Sequence, residues 1–347
     1  MKEFIRDVIR AEGPMPLDRY MALCLGHPKL GYYMSRDPFG AAGDFTTSPE
    51  ISQIFGELIG IWCMAAWDAI GAPSPFLLVE LGPGRGTLMD DVLRTTRRMP
   101  EFKAAVQVHM VETSPVLRKL QQDKLGPDVT WHESIATLPQ EPMIFIANEF
   151  FDALPVRQMV MHGGRTFERR VALSDAGELE LVIVPAPASD LKADGLYESS
   201  PISQAIAEDL GARIQALGGA GLVIDYGHLH AAAGDTLQAL KAHKPIGILD
   251  APGESDLTAH VDFESLGAAF KRGGADVLPP TTQGSFLKNM GLETRLTTLS
   301  AKLEGKARAD FVAGARRLVD DKEMGELFKV LGVAQGMRAP IYPFEAP

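Results

Sequence analysis

The chain has 347 residues, 46% of them hydrophobic and 23% charged, proportions that are typical of a globular protein with a sizeable core. Lys and Arg total 34 against 45 Asp and Glu; the net charge of −11 argues against a nucleic-acid substrate, since no basic face offsets it. No apolar run reaches the ~18 residues of a membrane span. Cys24 and Cys63 lack the spacing of metal ligands, so we expect no metal site. Two such cysteines are typical of reduced thiols in a cytoplasmic protein.

Residues 1–70 predict a helical and loop extension that precedes the first core strand. Amphipathic spacing indicates short helices near residues 2–11 and 16–24, with a Gly-Pro-Met-Pro turn between them. The first of these carries acidic residues, so it is a poor signal or transit peptide. Residues 51–67 predict a long, largely buried helix with Ser48 as its N-terminal cap.

Two turn-rich segments, residues 26–33 and 43–50, lie inside this extension. They are dense in Gly, Pro, hydroxyl and aromatic residues, and loops of that composition often form the wall or lid of a site. We therefore include His27 and Asp44 among the candidate catalytic residues, although an ordinary connection is the simpler interpretation of His27.

The segment that follows predicts a strand, a glycine turn and a helix. Residues 76–81 are an unbroken apolar run except for one acid, the pattern of a strand buried on both faces. Gly82, Gly84 and Gly86 then turn the chain into residues 88–93, whose apolar positions have helical spacing. Glycine allows close approach of the backbone, and the first helical turn offers free N–H groups, so this unit can cradle a nucleotide-like ligand.

Two acids favour S-adenosylmethionine over NAD as that ligand. Glu80 precedes the first glycine by two residues; a carboxylate there suits the cationic methionyl end of the cofactor and would repel a pyrophosphate. Glu112 ends the next predicted strand, residues 106–112, where it can accept hydrogen bonds from both ribose hydroxyls. It follows Gly82 by 30 residues, more than the roughly 20 of a dehydrogenase fingerprint. A solvated strand-end carboxylate is the alternative for Glu80.

Further strands alternate with helices and predict a parallel sheet. Residues 129–134 form the third strand, and Glu133 and Ser134 at its polar end are candidates to contact adenine. Residues 142–149 form the fourth. The fold class is therefore α/β, a doubly wound, Rossmann-like sheet of the class I methyltransferase type, and its ligands bind beyond the carboxyl ends of the strands.

The acceptor is expected beside the fourth strand, at residues 148–155. Asn148, Glu149 and Asp152 are groups that can hold and orient an amine or a guanidinium. A guanidinium stays protonated below about pH 12, so carboxylates could pair with it and accept its proton. A helix or turn cap is an equally good interpretation of Asp152.

Residues 71–347 predict the methyltransferase core, with insertions at about 156–200 and 228–260. The first insertion alternates apolar and polar residues between hairpin turns, which predicts an antiparallel meander. Another buried strand is predicted at residues 221–227, and the segments after residue 279, including residues 324–331, look helical.

Five motifs, taken together and in their order along the chain, are similar to those of the MidA-like methyltransferases. These are bacterial and mitochondrial proteins related to a complex I assembly factor that methylates arginine. The five motifs are residues 43–50 (GDFTTSPE), 80–86 (ELGPGRG), 148–156 (NEFFDALPV), 225–227 (DYG) and 258–263 (TAHVDF).

The resemblance continues to residue 331 and implies symmetric dimethylation of an arginine on the 49-kDa-type subunit of NADH:ubiquinone oxidoreductase. It also implies that the three glycines cradle S-adenosylmethionine, that the partner is a protein substrate, and that eukaryotic relatives work in the mitochondrial matrix. His260 lies in the last of the five motifs and joins the catalytic candidates.

Three other functions remain open at this stage. The chain could be a cofactor-binding assembly chaperone that needs no turnover, or a small-molecule methyltransferase with a closed acceptor pocket. The third function, an NAD dehydrogenase, is the least consistent with the acid at Glu80 and with the 30-residue spacing between Gly82 and Glu112.

Overall fold

The computed structural model describes residues 1–35, 46–188, 191 and 193–344. Fourteen α-helices lie in these ranges: α1 Lys2–Glu12, α2 Leu17–Gly26, α3 Tyr32–Ser35, α4 Ser48–Ile51, α5 Gln53–Ala69, α6 Thr87–Thr96, α7 Pro100–Ala105, α8 Pro115–Leu125, α9 Pro201–Leu217, α10 Phe263–Arg272, α11 Gln283–Asn289, α12 Leu292–Ser300, α13 Gly305–Arg317 and α14 Met324–Leu327. Seventeen strands lie in the same ranges: β1 Met15–Pro16, β2 Phe76–Leu81, β3 Val106–Val111, β4 Val129–His132, β5 Met143–Asn148, β6 Arg157–His162, β7 Arg165–Leu173, β8 Leu179–Pro185, β9 Gly195–Ser199, β10 Gly219–His228, β11 Gln238–Lys241, β12 Lys244–Ile246, β13 Asp256–Thr258, β14 Val261–Asp262, β15 Asp276–Val277, β16 Thr281–Thr282 and β17 Phe328–Gln335.

The central sheet is wound in two directions from its middle. Its strand order is β15-β17-β10-β5-β2-β3-β4, and β10, β5, β2, β3 and β4 run parallel. The chain moves outward from β2 to β4, then returns to β5 on the other side of β2. The strand order therefore reverses between β2 and β5, and a ligand crevice opens beyond the carboxyl ends at such a point.

Helices cover both faces of the sheet, which explains why β2 and β5 carry unbroken apolar runs. Every residue of these two strands is buried. Helix α5 packs against one face and is apolar nearly all round; its Phe55 and Trp62 side chains have no exposed surface. Helices α9 and α10 pack against the other face. The doubly wound, Rossmann-like α/β sheet predicted from the sequence is confirmed.

The N-terminal extension and the meander join in a second layer. Strand β1 pairs with β7 of the meander, and the meander sheet is completed by β6, β8 and β9. Ile5, Leu17 and Tyr20 share a buried cluster there with Val171 and with Leu257 from a three-stranded sheet formed by β11, β12 and β13. This layer supplies one wall of the crevice described below.

Two local predictions are wrong. The predicted helix over residues 324–331 ends at Leu327, because Phe328 begins β17, which pairs antiparallel with β10 in the central sheet. A short apolar run suits a buried strand and a buried helix equally, so only the pairing decides between them. The predicted cap Ser48 belongs to the separate helix α4; Ser52, with an extended backbone, is the residue whose side chain caps α5.

Both cysteines are buried and free, as the sequence indicated. Within the described ranges, no helix is both long enough and apolar enough to cross a bilayer.

Candidate active site

The glycine turn after β2 has a backbone that few other residues adopt. Gly82, Gly84 and Gly86 have φ angles of 60°, 53° and 74°, all in the left-handed region, and Gly86 occupies the position before α6. A Cβ on Gly82 would lie 2.9 Å from Cδ2 of Phe150, too close for the ring to stay in place. The turn thus brings the backbone next to the carboxyl end of β5 and directs the start of α6 toward the crevice.

Glu80 lies directly under this turn and is buried, with 3% of its surface exposed. Its Oε2 atom is buried and has no hydrogen-bond partner among the described residues. Burial raises the pKa of Glu80 to about 8, and the nearby carboxylate of Glu112 adds to the rise. A buried carboxyl oxygen without a partner fits a cationic group of a ligand, such as the ammonium of S-adenosylmethionine.

Glu112 is held in place at the carboxyl end of β3. Its Oε1 accepts the backbone N–H of Ser114 at 2.8 Å, and its Oε2 accepts from Nε2 of Gln121 at 3.2 Å. The same Gln121 nitrogen donates to the carbonyl of Gly84 at 2.7 Å. One buried amide therefore ties the glycine turn to the acid, which has lone pairs left for ribose hydroxyls.

The turn that follows β5 is strained at Glu149. This residue has φ of 51°, a left-handed value that is uncommon for a residue with a side chain. Its N–H donates to the carbonyl of Ile224 at 2.9 Å, while its Oε1 accepts from the backbone of Ser48 at 2.9 Å and from Nδ2 of Asn148 at 3.2 Å. Burial raises the pKa of Glu149 to about 7, and Asp152 contributes to the rise.

Asp225, the β10 residue that follows the last pair between β10 and β5, holds the same turn in place. Its Oδ2 accepts the backbone N–H groups of Phe150, Phe151 and Asp152 at 3.2, 3.0 and 3.2 Å. It is fully buried, and that burial raises its pKa well above the usual range of an aspartate. Asp225 thus determines where the side chains of Glu149 and Asp152 point.

Asp152 lies in the crevice with an aromatic neighbour. Burial raises its pKa to about 6, a rise that the hydroxyl of Tyr226 partly opposes. The Tyr226 ring contacts His260 at 5.4 Å and Phe328 at 5.6 Å between centroids, both edge to face. Asp256, at the start of β13, accepts a hydrogen bond from the hydroxyl of Tyr33 at 2.8 Å.

Several of these groups line one cavity of about 830 Å³ at the switch point of the sheet. A volume of that size is typical of a site for a cofactor together with an acceptor side chain. The predicted site residues on its wall are Gly82, Gly84, Glu112, Glu149, Asp152 and His260. A smaller cavity, which shares two of the glycines and Glu149, is lined by Glu80 and Asn148.

Four other described candidates lie outside both cavity walls, namely Gly86, Glu133, Ser134 and His27. Glu133 and Ser134 are exposed, with Glu133 only 3.9 Å from Arg118 and Ser134 capping a turn, so their contact with adenine stays a prediction. His27 accepts the backbone N–H groups of Lys29 and Leu30 at 3.2 Å, which is the structural role of an ordinary connection. Asp44 lies outside the described residues.

Sequence reasoning missed Gln121, Asp225 and Asp256 as parts of the site. Asp225 could have been found, because the buried strand predicted at residues 221–227 carries it toward the same edge as Glu80 and Glu112. No local signal marked Gln121, in the middle of α8, or Asp256, at the start of a short strand in an insertion.

A glycine turn between buried acids, at the switch point of a doubly wound parallel sheet, defines a class I S-adenosylmethionine-dependent methyltransferase. Residues 58–281 match the model of a family described as "Putative S-adenosyl-L-methionine-dependent methyltransferase". The match covers well over half of the chain, and the chain belongs to this family. Its cofactor is S-adenosylmethionine.

Proteins from animals resemble the chain over almost its full length. "Protein arginine methyltransferase NDUFAF7, mitochondrial" of Danio rerio is 38% identical over 365 residues, which cover 95% of this chain and 86% of that protein. The Homo sapiens protein of the same name is 37% identical, and the match covers 95% and 82% of the two chains.

A solved structure agrees with the fold. A Burkholderia thailandensis protein bound to S-adenosyl-homocysteine matches with a TM-score of 0.85 and 27% sequence identity, covering 99% of this chain and 95% of that one. The two chains therefore share the whole architecture, including the extension and the meander layer.

Proposed function

We propose that this protein transfers a methyl group from S-adenosylmethionine to the guanidinium of an arginine in a protein substrate. The observation that carries the proposal is the shared cavity, in which the glycine turn meets the buried carboxyls of Glu149, Asp152 and Asp256. Buried acids beside aromatic rings favour a planar, delocalised cation over a neutral acceptor. The names of the animal relatives support the same choice of acceptor.

The residues that would hold the cofactor are Gly82, Gly84, Gly86, Glu80 and Glu112. The unpartnered Oε2 of Glu80 would receive the ammonium, and Glu112 the ribose hydroxyls. The start of α6 offers N–H groups to a carboxylate. When bound, the cofactor supplies a methyl group that is already activated by its sulfonium, so the protein's contribution is mainly positioning.

Glu149 and Asp152 would bind and orient the guanidinium. Both pKa values are raised, to about 7 and about 6, because the carboxyls are buried without a cation. An arriving guanidinium supplies that cation and stabilises the ionised forms of both groups. A carboxylate next to the attacking nitrogen can then accept the proton that methylation releases, and Asn148 would help to aim Glu149.

The resemblance of the five motifs to those of the MidA-like methyltransferases supports a further step in the proposal. We extend the proposal to the 49-kDa-type subunit of complex I, methylated during assembly. Reduced, buried cysteines suit a cytoplasmic location for a bacterial member.

Mass spectrometry of arginine-containing peptides from cells with and without the protein tests this proposal. We expect one arginine to lose its methyl groups in the deletion strain and to regain them with the wild-type gene. Complementation with Glu149→Gln is expected to restore the protein but not the methylation. Methylation that persists in the deletion strain, or that appears on lysine, would overturn the arginine assignment. Complex assembly that survives Glu149→Gln would instead support the chaperone alternative.

A further inference from the structure

His260 belongs to the walls of two cavities. It shares the wall of the large cavity with Asp152 and Tyr226, and it also lines a second cavity of about 40 Å³. Among the described residues, it is the one that belongs to both linings. A group that can take up and release a proton therefore lies at the boundary between the two cavities.

Backbone and ring contacts hold His260 next to the acid of the proposed acceptor site. The N–H of Ala259, the preceding residue, donates to the carbonyl of Asp152 at 3.0 Å. The N–H of His260 itself donates to Oγ1 of Thr236 at 2.9 Å. The hydroxyl of Tyr226 hydrogen-bonds Asp152, and the Tyr226 ring contacts the imidazole of His260 at 5.4 Å between centroids. His260 and Asp152 thus have adjoining backbones and one aromatic neighbour in common.

The second cavity is polar and has room for water. Glu198, Ser200, Ser203 and His228 contribute to its lining. Nδ1 of His228 is buried and has no hydrogen-bond partner among the described residues. A water molecule needs roughly 10–15 Å³ of such space, so a few waters fit, and one of them can pair with that nitrogen. Ser199 on the same lining is exposed, so the cavity borders the surface.

The imidazoles of His228 and His260 are neighbours in this cavity. Strands β10 and β14 run parallel and pair His228 with Asp262, and His260 lies directly before β14. Both histidines line the second cavity. They are close enough for His228 to lower the pKa of His260, although burial is the larger cause of that shift.

The proposed reaction releases one proton in each turnover. The S–CH₃ bond breaks and leaves its electron pair on sulfur, an N–CH₃ bond forms with the electron pair of the guanidinium nitrogen, and that nitrogen loses a proton. The methylated guanidinium is still a cation, so the released proton is surplus. If it stays on the carboxyl of Asp152 or Glu149, the buried site lacks one of the charges that bind the next guanidinium.

Burial brings the proton affinities of Asp152 and His260 closer together. It raises the pKa of Asp152 to about 6 and lowers the pKa of His260 from its usual value. Glu198 opposes the fall at His260, and Lys329 adds to it. Proton transfer is easiest between groups of similar affinity, so His260 is suited to receive a proton from this acid.

We propose that His260 takes up the proton that Asp152 receives during methyl transfer, and that His228 passes it on to water in the second cavity. The inference rests on the proposed arginine methyltransferase activity and adds the route by which its proton leaves. The proton ends in bulk water, so the step needs no further reactant.

The first turnover and repeated turnover of the full-length enzyme separate this route from the transfer itself. The probe is a synthetic peptide with one central arginine, at about pH 8, where Asp152 and Glu149 begin ionised. The first turnover then needs only an acid that accepts the proton, whereas every later turnover needs the proton to leave.

His228→Asn is the first variant, since asparagine hydrogen-bonds water but carries no proton at this pH. We expect it to keep the first-turnover rate and to lower kcat about tenfold, less than the ~100-fold contribution of a direct acid or base, because water replaces part of the route. His260→Asn is expected to lower kcat at least as much, and added imidazole to restore kcat in both variants. His162→Asn, at an exposed position outside both linings, is expected to leave both rates unchanged.

NMR titration of the imidazoles in the ligand-free protein gives a readout that is independent of turnover. The pKa of His260 is expected to lie below the usual value of about 6.5 and to rise in His228→Asn. An unchanged kcat in both variants, a first-turnover rate that falls as much as kcat, or a pKa of His260 that ignores His228→Asn would overturn the inference while the proposed function stands. Methylation of a central lysine in place of arginine would overturn the proposed function itself.

Discussion

The buried amide of Gln121 offers a sharp test of how the cofactor end of the cavity is built. The side chain has no exposed surface; it donates to the Gly84 carbonyl at 2.7 Å and to Glu112 at 3.2 Å, and accepts from Nε1 of Trp131 at 2.8 Å. Leucine is close to glutamine in volume but makes none of these bonds. Gln121→Leu therefore leaves three polar groups without their partner.

The expected loss can be worked out from these bonds. A hydrogen bond contributes about 1 kcal/mol net, and a buried group left without its partner costs about 1–3 kcal/mol, so Gln121→Leu should lower the free energy of unfolding by about 3 kcal/mol. Two of the three partners, Gly84 and Glu112, line the cavity. If half of that loss also affects ligand binding, the Kd for S-adenosylhomocysteine rises about tenfold.

Gln158→Leu is a matched control on the meander. Gln158 is also fully buried; its amide donates to Glu198 at 2.6 Å and to Asp235 at 2.8 Å and accepts from Arg169 at 2.8 Å. We expect a comparable loss of stability and an unchanged Kd for S-adenosylhomocysteine. Thermal unfolding and titration calorimetry measure the two quantities separately. Should Gln121→Leu lose stability like the control yet bind S-adenosylhomocysteine like the wild type, Gln121 does not position the cofactor.

Three further predictions concern the buried carboxyls. Glu149→Gln should lower the rate of methyl transfer about 100-fold or more with the Kd for S-adenosylhomocysteine unchanged, because only the acceptor end loses its acid. A plot of kcat/KM against pH should rise through about 6 to 7, where Asp152 and Glu149 ionise, and level off above, because the guanidinium needs both charges. The folded ligand-free protein should lose stability as pH rises from about 4.5 to about 8, and Glu80 should contribute up to about 1.4 kcal/mol per pH unit of that loss, because its raised pKa makes the folded state bind its proton more tightly.

Each of these has an outcome that contradicts it. Full methyl transfer by Glu149→Gln would remove this residue from the acceptor site. A kcat/KM that falls through the same pH range would mean that the protonated carboxyls are the active ones. The stability prediction is checked by denaturant unfolding at several pH values, with Glu80→Gln as control; an unchanged slope in that variant would assign the pH dependence to other groups.

Much of the fold was predictable because each core strand is marked by a pattern of residues that are adjacent in the sequence. A strand buried on both faces must be apolar throughout, and a glycine turn and a capped helix must follow it closely, so the units containing β2, β3 and β5 were visible in the sequence. Ser114 and Asp262 cap α8 and α10 through their side chains, which is a local signal of the same kind. The acids at the strand ends were visible for the same reason, since parallel strands bring their carboxyl ends to one edge.

Other features depended on contacts between distant residues. The strand β17 looks helical by itself, and it becomes a strand because its backbone pairs with β10, more than a hundred positions earlier in the chain. Asp256 enters the cavity only because the sheet of β11–β13 packs on the N-terminal helices. His27 had a suggestive neighbourhood, but its side chain is used to close a local turn.

The sequence by itself determined the cofactor class and the strand, turn and helix that cradle it, because those features need residues that are adjacent in the chain. Tertiary structure decided which acids line the large cavity. The pKa values of Glu80 and Glu149 depend on burial, and burial depends on helices and loops brought together from distant parts of the chain. A local sequence pattern does not show how far a carboxyl is removed from water, so the raised pKa values, unlike the order of strand, turn and helix, required the folded structure.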